Sequence, residues 1–468
     1  MARNIQKTCD PGLVSAAVAA LSTWSTALFE AGAWDGLLSL VDQAVFSAAS
    51  FLTTIMVGRY GTHDLGTYSL GFTIVLMFMC VANGIITAPY TVYGNRLEGA
   101  RRAEYVGSVL VQCGLLAALA LVGLTLAAWG LSRGIGPRDA APLVTALAAA
   151  VPFVLVRQFA RELTFAHLQV VAVLILDLLV AMLQLGGLGY LAVSGRLSAV
   201  TAHLMVGAAC AAGALGWFVL ARPPFRVRRA QLLPALRQNW AFGRWVLASQ
   251  MSLVCHSYLV YWLVAWKLGI AATGVLAACE TIVAFSNPFM FGMNNYLGPR
   301  VARAFAEGGR LEVRRMVGKS ALFLGGVMAL VCGGVALFGG RLVCVLYGNG
   351  YAGRGSTIAI LAIGIFVSAL GQSPGLGLLA MERSDVTFRL RVQGMCVTAV
   401  SAWFLIEPWG ILGAACALLA GHLTTATAAV LTYRRVLATA PRTIAVARDL
   451  PIDIPLEYTL PTGEHCAP

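Results

Sequence analysis

The chain has 468 residues, 59% of them hydrophobic and 11% charged, against roughly 25% charged in soluble domains. A soluble enzyme, a secreted disulfide scaffold and a nucleic-acid-binding domain are excluded, and the net charge of +13 has to be read against a lipid bilayer. A crossing helix takes about 20 apolar residues, so twelve would use about half of the chain and leave only short loops.

The first 36 residues hold a mildly apolar stretch, Leu13 to Phe29, with Val14, Val18, Leu21 and Leu28 on one helical face and Ser15, Ser22 and Thr26 on another. That pattern predicts an interfacial amphipathic helix in a cytoplasmic N-terminal segment, with an extra span as the other reading. Apolar runs bounded by charge or turn residues then predict twelve spans, at 37–58, 67–90, 105–131, 141–156, 168–190, 199–220, 245–266, 271–297, 320–338, 356–380, 392–406 and 410–433. The expected fold class is all-α, a polytopic membrane protein. Residues 37–221 form an N-terminal six-helix half and 245–434 a C-terminal one. A basic connector at 222–244 joins them, and its Arg, Trp and Phe residues suit the cytoplasmic headgroup layer. A cytoplasmic tail, 435–468, contains Pro451, Pro455 and Pro461 and has no packed core expected of it.

Charge sets the orientation. Of the 33 Lys and Arg residues, seven fall outside if the N-terminus is cytoplasmic: Arg59, Arg133, Arg138, Arg196, Lys267, Arg341 and Arg354. The other 26 fall inside, a bias that predicts two cytoplasmic termini. The eleven Cys residues sit singly, without CxxC or Cys/His ligand spacing, and read as small packing residues.

An internal repeat supports the division into halves. A shift of 208 residues lays 59-RYGTHDLGTYSLGFTIV-75 over 267-KLGIAATGVLAACETIV-283, matching Gly61, Gly66, Thr73, Ile74 and Val75 with Gly269, Gly274, Thr281, Ile282 and Val283. Both windows cover the exit of one span and the start of the next, six spans apart, so the halves are parallel. Halves related by an axis along the membrane normal are one plan of secondary transporters, with substrate bound in a central cleft between them.

Polar groups inside spans are the candidate site residues. A charge at the bilayer centre costs about 2.5–3.5 kcal/mol on insertion scales, so such groups usually face a bundle interior or a wet cavity. Asp177, about nine residues into span 5, is expected near the midplane, and Asp42 near the cytoplasmic interface; both are ion-coupling candidates, with a packing role as the other reading. In span 8, Glu280 and Asn287 share a face beside Pro288, which should bend the helix. Gln250 and His256 are polar positions of span 7, and these four predict a cavity wall. Arg157 and Arg161, four apart at the cytoplasmic end of span 4, face the same way and have the fork geometry for a pyrophosphate; topology-setting charge explains them equally well. No GxxxxGK[ST], HExxH or GxSxG motif is present, so no enzyme activity, cofactor or metal is expected.

The element Arg59-Tyr60-Gly61-Thr62-His63-Asp64-Leu65-Gly66-Thr67-Tyr68 after span 1, within twelve spans in two parallel halves, resembles the polysaccharide transporter family. That family includes the Wzx-type O-antigen flippases, in a superfamily with multidrug antiporters and lipid II flippases. The resemblance rests on a basic residue, then Gly, then Gly-x-Tyr; the second half, with Gly274-Val275-Leu276, lacks the Tyr. It implies a flippase of the bacterial plasma membrane that moves a polyprenyl-pyrophosphate-linked oligosaccharide to the outer leaflet. Membrane lipids, glycan polymerases and glycosyltransferases are then the expected partners, and nucleic acid is not. Gln250, His256, Glu280 and Asn287 would contact glycan, and Arg157, Arg161 and Arg244 would meet phosphate at the cytoplasmic mouth. One departure is that the expected spans hold no Lys or Arg near the midplane, which keeps a cation-coupled drug or metabolite antiporter as the alternative. A non-transporting scaffold of a glycan-synthesis complex is a third reading.

Overall fold

The computed structural model describes residues 11–221, 225–381 and 383–439, and every regular element among them is helical. A chain in hydrocarbon must satisfy its backbone hydrogen bonds within each segment, and helices do this. In order they are α1 (Pro11–Tyr60), α2 (Thr62–Ala82), α3 (Ala88–Tyr93), α4 (Gly99–Ser132), α5 (Ala141–Ala166), α6 (Val170–Val193), α7 (Ala199–Ala221), α8 (Arg229–Leu268), α9 (Ile270–Val283), α10 (Asn287–Tyr347), α11 (Gly355–Ala380) and α12 (Ser384–Thr439). A π-helical turn, Asn83–Thr87, joins α2 to α3 within one crossing.

Two of these elements are too long to cross once. The 61 residues of α10 would extend about 90 Å as a single rod, three times the ~30 Å hydrocarbon core. Gly309 interrupts it at φ 59°, ψ −147°, and Gly410 interrupts α12 at φ 58°, ψ −134°, conformations open to glycine because it has no Cβ. In α12, Gly413 abuts the Leu405 carbonyl, Gly421 lies against Gly394 and Thr398, and Gly394 against Thr425. These pairs converge on Gly410, so the chain doubles back there. Likewise, Val301 and Phe305 pack with Val313 and Val317 on the two sides of Gly309.

The crossings then number twelve among the described residues, as expected. Nine segments qualify by length and hydropathy, the last of which, Asp385–Ala438, contains both arms of α12. The remaining two crossings are α8, which carries many polar residues, and the pair formed by α9 and the first arm of α10, broken at Ala284–Ser286. That break falls just before Pro288, which sits in the first turn of α10, where its missing N–H leaves no bond unmade.

Three boundaries differ from the sequence reading. Span 4, expected to stop at residue 156, continues to Ala166 despite Pro152, because the apolar face resumes through Phe159, Ala160 and Leu163, all buried. The connector is helical from Arg229 and continuous with span 7, and it is held by the protein: buried Asn239 accepts from Tyr105 Oη at 2.6 Å and donates to Gln112 Oε1 at 3.0 Å. The N-terminal stretch 13–29 belongs to α1, whose bilayer-crossing part is Leu37–Tyr60. The tail beyond Thr439 lies outside the described residues.

The halves have separate cores. One cluster gathers Val106, Val109, Leu147, Val151, Leu155 and Phe159 from the N-terminal half. Another gathers Val260, Leu276, Ile282, Met328, Ile358 and Ala414 from the C-terminal half, together with Ile55, Leu65 and Leu70 from the ends of α1 and α2 that reach into it.

The repeat is legible at this junction. A Cβ on Gly66 would stand 1.9 Å from the Ile270 carbonyl oxygen, and one on Gly274 would stand 1.8 Å from the Thr62 carbonyl oxygen. The 208-residue shift carries Thr62 to Ile270 and Gly66 to Gly274, so it exchanges the two contacts. A local two-fold relation between α2 and α9 therefore runs through these glycines.

Candidate functional site

The most strongly charged site inside the membrane-spanning part lies in the N-terminal half, where α1, α5 and α6 meet. Asp177 on α6 accepts from Arg157 Nη2 at 2.5 Å through Oδ1 and from Arg161 Nε at 2.7 Å through Oδ2. Arg161 reaches across to α1, where its Nη2 donates to Asp42 Oδ2 at 2.7 Å. Glu162 lies 3.6 Å from Arg161 Nη1 and accepts from Gln158. Asp42, Arg157 and Asp177 are buried, whereas the Arg161 side chain is 14% exposed.

Local sequence explains half of this cluster. The α5–α6 turn is centred near Leu168, so residues equally far from it on either side face each other. Position 161 then opposes 175 and 157 opposes 179, with Asp177 between them, and two arginines four apart stack on one helical face. The (i, i+4) spacing and the hairpin were both readable. The link from Arg161 to Asp42, 119 residues away, carries no local signal.

The placement corrects three expectations. Arg157 lies deeper than a cytoplasmic mouth, nine residues inside the end of α5, about 14 Å of helix rise, whereas Arg161 is five residues inside it and partly exposed. Asp177, about 11 Å inside the start of α6, is not a lone carboxylate but the shared counter-ion of both arginines. The spans therefore do contain a cation at depth, contrary to expectation, because span 4 runs ten residues beyond its expected end at 156. Two of the 26 charges assigned to orientation belong to this site.

Phe46 on α1 covers the pair, its ring 5.6 Å from each guanidinium carbon, and Phe165 lies 4.8 Å from that of Arg161. Aromatic faces stabilise desolvated guanidiniums by about 2 kcal/mol or more. The cluster is not closed, however. Asp42 Oδ1 and Arg157 Nε are buried without a hydrogen-bond partner among the described residues.

The four polar positions expected on a cavity wall do not form one cluster; no hydrogen bond links them among the described residues. Glu280 accepts from Tyr261 Oη at 2.9 Å, and Tyr258 packs edge-on to Tyr261. His256 stands edge-on to His422 of α12, 5.7 Å between ring centres. Gln250 is half-buried on α8 and Asn287 half-buried at the start of α10. Arg244 is exposed, its guanidinium 5.4 Å over Trp245.

Several long-range contacts that tie the helices together were missed. At one end Arg59 donates through Nε to the Leu346 carbonyl at 2.7 Å and through Nη2 to that of Val345 at 3.1 Å, bridging α1 and the end of α10. Tyr351 Oη donates to the Gly58 carbonyl at 2.9 Å, and Trp262 Nε1 to Thr73 at 3.0 Å. Tyr60 donates to the Ala192 carbonyl, and Asp64 Oδ1 accepts from the Ala199 amide at 3.0 Å, capping α7. The 59–68 element is thus a junction. At the Arg-rich end, Gly243 packs on the Gly84 carbonyl and Phe242 edge-on to Tyr93.

Residues 39–136 match the MatE family model. No curated protein matches in sequence. Among solved structures, an inward-facing multidrug-resistance MATE family transporter of the MOP superfamily is 14% identical with a TM-score of 0.71, covering 84% of this chain and 95% of that one. An outward-facing conformation of such a transporter is 13% identical at 0.60, covering 86% and 94%. The lipid II flippase MurJ in an inward closed conformation is 9% identical at 0.65, covering 85% and 87%. This multi-pass membrane protein therefore has the fold of the MATE transporters and MurJ, two six-helix halves about a central cleft.

Proposed function

We propose that the protein is a flippase of the bacterial plasma membrane, moving a polyprenyl-pyrophosphate-linked oligosaccharide from the cytoplasmic to the outer leaflet by alternating access. The observation that carries this reading is the arginine pair at depth. Arg161 is partly exposed, Arg157 keeps an unpartnered Nε, and both have the fork geometry that fits phosphate oxygens. With its termini cytoplasmic, the chain would present these groups to substrate in the inner leaflet, while the polyprenyl tail stays in lipid.

The mechanism follows from exchange of counter-ions. A pyrophosphate approaching Arg161 competes with Asp42, whose ion pair with Arg161 joins the Phe46 ring in tying α1 to the pair. Losing that ion pair loosens α1 on α5, with the Gln184–Thr53 hydrogen bond between α6 and α1 left in place, and biases the halves towards the other arrangement, since a ligand shifts an equilibrium only by its differential interaction with the two states. Proton or cation binding at Asp42 or Asp177 would reset the cycle. Gln250, His256, Glu280 and Asn287 would contact the glycan on the opposite half, and Arg244 would guide the headgroup at the mouth.

The test is leaflet assignment in cells. Deletion should trap lipid-linked glycan in the inner leaflet, and Arg161→Ala should do the same at normal protein levels. Unchanged leaflet distribution together with new drug sensitivity would establish the second reading, a cation-coupled antiporter. That reading is favoured by one observation, the three carboxylates Asp42, Glu162 and Asp177 against two guanidiniums. Full function after Asp177→Asn and Glu280→Gln would instead point to a scaffold.

A further inference from the structure

A cycle reset by an ion needs a group that can change charge, yet Asp42 and Asp177 already sit in ion pairs with arginine. The C-terminal half holds a titratable pair of another kind. His256 on α8 and His422 on the second arm of α12 stand edge-on, 5.7 Å between ring centres. Each lies twelve residues from the end of its crossing away from the Arg-rich face, Leu268 or Gly410. That is about 18 Å of helix rise, just past the midplane of a ~30 Å core. Neither ring has an ion-pair partner among the described residues.

His422 is seated against α11, where a Cβ on Gly364 would stand 3.3 Å from its Cδ2. His256 Nδ1 is buried without a hydrogen-bond partner among the described residues. Packing alone would be served better by an apolar side chain, because a sealed ring nitrogen forfeits its bond to water. Two imidazoles with no third His, Cys, Asp or Glu beside them do not make a metal site among the described residues. Imidazole does change charge near neutral pH, and histidines within membrane spans serve in proton relays.

Few other charges face the pair. Arg391 acts on His256 from the first arm of α12, Cys255 adjoins it on α8, and Cys80 of α2 lies near Cys255. Glu280 of α9 accepts from Tyr261, five residues further along α8, with Tyr258 beside it. The sequence of α11 contains no titratable residue. A first proton would therefore meet one like charge and no carboxylate, and a second would be repelled by the first at this separation. Any movement of α8 reaches the other half, because Trp262 on it donates to Thr73 of α2 at 3.0 Å and Gly243 packs on the Gly84 carbonyl.

We propose that His256 and His422 form a proton-binding pair, which takes up one proton between them and moves α8 against α12 during transport. The charged pair, desolvated and facing Arg391, favours an arrangement that parts the rings or wets them, whereas the neutral pair favours the packing described. That difference is what biases the halves. The inference rests on alternating access and not on the cargo. His256 is also placed against the glycan, so proton and cargo would change each other's affinity by the same factor.

The test follows the imidazoles of the purified full chain in detergent by isotope-edited NMR, each assigned by its own substitution, with the proton as the ligand. Between about pH 8 and pH 5, His256 and His422 should share one proton. H422Q should move the His256 titration midpoint by about one pH unit or more. R391Q leaves both rings in place and should move their two midpoints together, which decides the matter if H422Q misfolds. Spin labels at Ser132 and Asn349, exposed on the two halves at the end away from the Arg-rich face, should report a distance change on acidification that H256Q and H422Q abolish. Rings that stay neutral, rings that titrate independently, or a distance change that survives both substitutions would overturn the pair. These readouts need no cargo, so their failure is separate from a failure of leaflet assignment.

Discussion

Replacing Asp177 with Asn keeps the shape of the side chain and removes the charge that two buried arginines share. Arg161 retains Asp42 at 2.7 Å, but Arg157 loses its one salt-bridge partner among the described residues, the Asp177 Oδ1 contact at 2.5 Å. Removing one member of a buried ion pair costs about 3–5 kcal/mol, because the remaining charge stays desolvated. Asp42→Asn leaves Arg161 paired to Asp177 and should cost less, about 1.5–3 kcal/mol, the worth of one charged hydrogen bond. Adding Arg157→Met to Asp177→Asn removes the orphaned charge and should recover most of the loss, since an apolar side chain of similar size is no worse there than an ion pair. Denaturation of the four proteins in the same detergent measures these differences. A loss below ~1 kcal/mol for Asp177→Asn, or an Arg157→Met change that simply adds a further loss, would refute the buried-network account.

Other perturbations probe the junctions between the halves. Gly66→Ala and Gly274→Ala each place a Cβ within 2 Å of a carbonyl oxygen across α2 and α9, so the helices must separate by more than 1 Å. The expected cost is about 1–3 kcal/mol each, and the local two-fold relation requires similar values in thermal melts. Arg59→Ala combined with Tyr351→Phe removes three hydrogen bonds at one end of the cleft. In a background without native cysteines, a cysteine at Thr62 should then be modified faster by a water-soluble reagent. Asn239→Ala strands Tyr105 and Gln112 and should cost about 1–3 kcal/mol in denaturation, releasing the connector as seen by faster hydrogen exchange over 229–244.

Much of the fold was legible because the bilayer imposes a strict pattern. Apolar length alone placed twelve crossings, and the two that hydropathy underestimates, α8 and the α9–α10 pair, were still bounded by Arg244, Lys267 and Gly269. The error at span 4 had a definite cause. A proline and two arginines within ten residues read as a helix end, yet Pro152 was accommodated and the arginines were neutralised by a neighbouring helix. Charge neutralisation is invisible to a window that scores each span separately.

Sequence by itself determined the crossings, their alternation, the basic face and the 208-residue repeat, all set by local composition against a medium that cannot hydrogen-bond. Only the tertiary structure decided which polar groups meet. Asp42 and Arg161 are 119 residues apart, Tyr105 and Asn239 are 134 apart, and Arg59 and Leu346 are 287 apart. Such pairings depend on how helices rotate and pack, which hydropathy leaves free. What sequence gave as separate charges, with two acids assigned to coupling and two arginines to a surface, the packed bundle resolved into one network.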